Sequence, residues 1–177
     1  MKKIYIVLTN TGTILSKIIK FYTKDEFTHV SIALDSNLQE MYSFGRLNPY
    51  NPFIGGFLHE YINKGTFKRF YKTISRIYVL DVEDEQYEKI KNIIIKFSIN
   101  KYIFKFNTIG LFAIAFKKKI KKDKAFYCAE FVKYVLDESN IKLNLPELIR
   151  PESFKGIDES MEIYSGLLKD YTIDKIL

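Results

Sequence analysis

The chain has no tryptophan, one cysteine, two histidines, and only eight glycines and four prolines among its 177 residues. A single cysteine excludes an internal disulfide and any CxxC zinc or iron–sulfur site, and two histidines are too few for a three-histidine metal cage. The shortage of glycine and proline, set against 47% hydrophobic and 16% aromatic residues, excludes disordered and low-complexity classes. Long apolar runs are also missing. The longest, residues 109–116 with one glycine inside, falls far short of the roughly 20 residues that cross a bilayer. The basic start, MKKIYIVLTNTG, carries an apolar run over residues 4–8. That is shorter than the roughly 7–15 residues of a signal-peptide core, so the expected compartment is the cytoplasm.

What remains is enough for one domain, residues 1–177, at one domain per roughly 150 residues. The 28 basic and 21 acidic residues leave a net charge of +7, and KKKIKKDK at 117–124 carries most of that excess. A strip so local is a poor footprint for sequence-reading nucleic-acid binding, which needs basic residues spread over a face within a recognisable motif. It reads first as a solvated loop or helix end. The alternative is peripheral contact of Lys117, Lys118, Lys119, Lys121 and Lys122 with an anionic membrane or polyanion.

Periodicity predicts a strand at 3–9, a turn at 10–12 and a helix at 13–22 with Ile14, Leu15, Ile18, Ile19 and Tyr22 on one side. Residues 28–34 and 39–44, around the turn Asp35-Ser36-Asn37, predict a β-hairpin spanning 28–45. Pro49, Pro52 and Gly55-Gly56 make 45–65 read as a long, Tyr- and Phe-rich loop, the natural wall of a substrate groove. Strands are predicted at 66–71 and 75–82, then helices at 84–98, 107–116 and 126–137, with 158–168 a last helix or irregular wrap. No repeat and no linker divides the chain, so the expected class is α+β, an antiparallel sheet packed against helices.

The one cysteine, Cys128 in FYCAEFVKYVL, falls in the first turn of the predicted helix 126–137. Partial positive charge at a helix N-terminus stabilises a thiolate, and the backbone N–H groups of that turn can receive an oxyanion. A free cysteine packs equally well as a small hydrophobe. A thiolate enzyme also needs a group that returns a proton to the leaving atom, and histidine serves because its pKa lies near working pH. His29 opens a strand in FTHVSIALD, where the sheet would fix its ring; a strand-edge histidine with a hydrogen-bond partner is the plain alternative. His59, in GGFLHEYINKG beside Glu60, reads as a solvated polar residue.

HVSIAL leading into a hairpin, with YCAEFV on a helix much later, resembles the circularly permuted branch of the NlpC-type papain-like cysteine peptidases. In that branch the histidine hairpin precedes the cysteine helix, an order shared by lecithin:retinol acyltransferase-like proteins. With EMYSFGRLNPYNPFIGGFLHE added, the resemblance extends over nearly the whole chain, to a subgroup of bacterial proteins in that superfamily. It implies a permuted papain-like fold and thiol hydrolysis of an amide, with Cys128 as nucleophile and His29 as acid and base. A third polar residue on the following strand would orient the imidazole. Glu40, eleven residues beyond His29, is the first choice and Tyr42 the reserve, since a register shift decides which of them reaches the ring. No metal or organic cofactor is implied. Arg46 either holds a substrate carboxylate through its guanidinium fork or is a surface residue. Acyl transfer or thioester hydrolysis on the same fold, and a non-enzymatic module binding anionic surfaces through the lysine run, are the competing expectations.

Overall fold

Ile, Val, Leu and Tyr fill residues 4–8 with no polar residue among them, and the strand they form, β1 (Lys2–Asn10), is covered on both faces. Ile4, Ile6 and Leu8 point into one apolar cluster, Tyr5 and Val7 into a second on the opposite side. The computed structural model describes residues 1–115, 120 and 122–173. Along the chain, β1 is followed by α1 (Ile14–Thr23), β2 (His29–Ala33), β3 (Met41–Asn48), β4 (Asn51–Glu60) and the short α2 (Gly65–Arg69). Then come β5 (Ile74–Val82), α3 (Asp84–Ile99), β6 (Lys105–Phe106), α4 (Thr108–Ala115), β7 (Ala125–Phe126), α5 (Cys128–Glu138) and β8 (Ser160–Leu167).

The strands form one eight-stranded sheet in the order β7-β6-β4-β3-β2-β1-β5-β8. Its neighbours are antiparallel except β6 and β7, which run parallel, so the sheet is mixed where a purely antiparallel one is expected from the sequence. α3 and α5 cover one face, where Phe44, Phe57, Phe97 and Phe131 stack edge to face on one another. The other face is closed by Leu38, by Phe67 of α2 and by Leu168 and Tyr171 after β8. The class is therefore α+β.

Three segments depart from the periodicity reading. Residues 45–65 hold the β3–β4 hairpin instead of a loop. Its Gly55 sits in the strand because a Cβ there would stand 2.7 Å from the Phe106 ring, so the glycine marks a close approach and not a break. Residues 66–71 do not continue a strand. Gly65 takes φ +55° and starts α2, which exists to lay Phe67 on the sheet. Residues 160–167 form the edge strand β8, paired with β5; Glu162 and the exposed Met161 lie on it, and a bulge interrupts its register at Ile77/Tyr78. Of the lysine strip, Lys117, Lys118, Lys119 and Lys121 lie outside the described residues; Lys122 is exposed. Among the described residues no helix is long and apolar enough to cross a membrane.

Candidate active site

β2 pairs with β3 only at Ile32–Tyr42 and Ala33–Met41. Below that point the two strands part, held by a bond of 2.7 Å from Ser43 Oγ to the Val30 carbonyl. His29 is the first residue of β2 and lies at the opening of this split. α5 crosses β2 and β3 on the helical face, so its first residue, Cys128, arrives at the same opening from above. A long separation in sequence is thereby closed by topology. The thiol is 3% exposed, and the histidine side chain 18%, so both are sheltered yet face one cleft.

The thiol and the imidazole line the same cleft, close enough for the sulfur to raise the imidazole pKa. On the other side of the ring, Nε2 lies 3.0 Å from Glu60 Oε1 and 3.2 Å from Oε2. A carboxylate can only accept, so Nε2 carries a proton and Nδ1 is the nitrogen left for the sulfur. Ser31 Oγ donates to Glu60 Oε2 and lies 3.4 Å from His29 Nε2, fixing the carboxylate in turn. Burial is the largest influence on the His29 pKa and lowers it. The Glu60 charge, the hydrogen bond that His29 donates to it, and the neighbouring Cys128 together outweigh burial and raise the imidazole to about 10.

The orienting carboxylate is therefore Glu60, and the Glu40 and Tyr42 placements are corrected. The turn after β2 is wider than a two-residue hairpin, because the Asp35 carboxylate accepts from the backbone N–H groups of Asn37, Gln39 and Glu40. That sets Glu40 opposite Leu34, exposed, at the far end of β2 from His29. Tyr42 points to the helical face and stacks on His59 at 4.5 Å. His59 is exposed and bonded to the Gln39 carbonyl, as a solvated polar residue should be. Glu60 is the last residue of β4, one strand beyond β3, and reaches His29 across Gly45. A Cβ on Gly45 would lie 3.3 Å from His29 Cε1 and 3.9 Å from Glu60 Oε1. The available signal was the acid next to His59, whose strand was hidden by the glycines and prolines around it.

The first turn of α5 is held from several sides. Glu130 Oε2 accepts from the Tyr127 N–H at 3.3 Å, and the Tyr127 hydroxyl donates to the Ile149 carbonyl at 2.9 Å. Asn107, 1% exposed, donates to Glu130 and to the Ile120 carbonyl and accepts from the Gly110 N–H, tying α4 to α5. The backbone N–H of Cys128 belongs to the first turn, which has no intrahelical acceptors, and so is a ready donor to an oxyanion. The cleft encloses about 70 Å³ and is walled by Thr13 and Ser16 at the start of α1, Phe67 of α2, Phe106 and Leu111. Arg46 projects into it from β3. No three His, Cys, Asp or Glu side chains cluster as a metal centre among the described residues. No family model matches the chain, and no curated protein matches it.

Proposed function

We propose that the protein is a cysteine hydrolase of the permuted papain-like type, cleaving an amide bond through a thioester. The observation that carries this reading is that Cys128 and His29 line one cleft while Glu60 holds the Nε2 of the ring. His29, whose pKa is raised to about 10, against burial, chiefly by the Glu60 charge, accepts the thiol proton as the sulfur attacks. The sulfur attacks the carbonyl carbon, and the Cys128 N–H donates to the oxygen as it becomes negative. His29 then passes its proton to the departing nitrogen, the C–N bond breaks, and the acyl group remains on sulfur. Water, deprotonated by His29, attacks the thioester and releases a carboxylic acid, returning the proton to the thiol.

The test is an electrophilic peptide-amide probe on wild type, Cys128→Ala and His29→Ala, followed by a screen of dipeptides and cell-wall peptide fragments. A mass adduct at Cys128 that requires His29, with turnover of an amide, is expected. No adduct in the folded wild type overturns the reading.

One observation favours a second reading, acyl transfer or thioester hydrolysis from a lipid. Ile14, Ile18, Phe21 and Tyr22 lie exposed along α1, flanked by Lys17, Lys20 and Lys24, and the same helix begins at the cleft with Thr13 and Ser16. Turnover of acyl thioesters or phospholipids in preference to peptide amides would select it.

A further inference from the structure

The cleft contains one charged side chain that Cys128, His29 and Glu60 do not use. Arg46 follows Gly45 in β3, and its Nη2 donates to Thr13 Oγ1 at 3.2 Å, while its guanidinium carbon lies 5.5 Å from the centre of the Phe70 ring. Among the described residues no carboxylate stands within ion-pair distance of it. A second cation acts on it: burial first, and repulsion from Arg69 second, pull the Arg46 pKa down. A guanidinium has five N–H donors, and this one spends a single bond on a threonine hydroxyl. A half-buried cation that lines an open cleft near another cation, with one hydrogen bond to a threonine, lacks an anion that the fold does not supply.

We propose that Arg46 is the subsite for a carboxylate of the substrate, so that the amide cleaved lies close to a free carboxylate. This rests on the cysteine-hydrolase reading above. The narrow cleft suits a flat carboxylate, which the guanidinium fork can grip at two points. Thr13, already hydrogen-bonded to Ser16 N–H at 3.2 Å, fixes the arginine from behind and ties the subsite to the first turn of α1.

The test uses two matched pairs of alkylating agents on the full chain: iodoacetate against iodoacetamide, and N-iodoacetylglycine against its amide. The carboxylate sits one bond from the reactive carbon in the first pair and four in the second. Each pair yields the rate ratio of the anionic to the neutral reagent at Cys128, followed by mass. Replacing Arg46 by glutamine should lower that ratio about tenfold in at least one pair, the size expected for a charge-assisted hydrogen bond. Arg46→Lys, which keeps the charge and loses the fork, should fall between and provides the reading if the glutamine variant does not fold. Ratios unchanged in both pairs and both variants overturn the subsite while leaving the hydrolase reading intact. Failure of every reagent to alkylate Cys128 overturns both.

Discussion

At the scale of single residues, two glutamates that look alike in the sequence part company in the fold. Glu60 is buried against His29, whereas Glu40 is exposed at a turn. Glu60→Ala is expected to cut amide turnover or probe labelling at pH 7 by at least roughly tenfold, since the imidazole loses both its orientation and its compensating charge. Glu40→Ala should leave the rate unchanged, and comparison of the two variants with the electrophilic probe checks the assignment. The His29 ring offers a second measurement. By NMR it should titrate near 10 in the wild type. In Glu60→Gln it should titrate far lower, because burial, the largest influence and a lowering one, is then opposed only by Cys128. Cys128 and His29 were legible in the sequence because each residue type is scarce and each sat where an element was predicted to begin. Glu60 was not, because a carboxylate next to a solvated histidine has no feature of its own until the strand beneath it is known.

At the scale of elements, the site depends on how β3 and α5 are held. Gly45 lets the His29 and Glu60 side chains meet over β3, so Gly45→Val should push the ring aside, costing about 1–3 kcal/mol of stability and slowing the alkylation of Cys128. Urea unfolding and alkylation kinetics on one sample measure both effects. Asn107→Ala leaves the Gly110 N–H and the Ile120 carbonyl without their partner, and should cost about 1–3 kcal/mol in the same unfolding experiment. The helices α1, α3 and α5 were legible because caps and apolar stripes occur together, as where Glu83 N–H bonds the Gln86 side chain at the start of α3. β4 and β8 were not. In β4 the glycines serve close packing against Phe106, and in β8 the strand is an edge with one face half exposed, so neither shows the alternation that marks a half-buried strand.

At the scale of the molecule, the candidate site is coupled to folding through its protons. The reference pKa of histidine is 6.5 and that of folded His29 about 10. A raised pKa contributes stability that is complete below 6.5 and disappears as pH rises through about 10. The stability advantage of the wild type over Glu60→Gln should accordingly be largest on the acid side of neutrality and decay across that interval. Differential denaturation at a series of pH values measures it, and an advantage that grows toward alkaline pH would have the wrong sign. The loop before β2 is held by a separate set of charges. Arg150 Nη1 meets Asp25 Oδ1 at 3.0 Å, Lys155 Nζ meets Glu26 Oε2 at 2.7 Å, and the Phe27 N–H donates to Glu152 at 2.9 Å. These contacts join the 3-10 turn Pro151–Phe154 to the chain leading into His29, so the C-terminal third of the molecule helps to place a residue near its beginning.

The most direct measurement of the central claim is the rate at which iodoacetamide alkylates Cys128 in the folded protein at pH 6 to 7, with His29→Ala alongside. An ordinary thiol with a pKa near 8.5 is only about 1% ionised there. A Cys128–His29 pair gives a wild-type rate well above that of a free thiol and a marked slowing in His29→Ala. A wild-type rate no faster than a free thiol, indifferent to the loss of His29, would contradict that pairing.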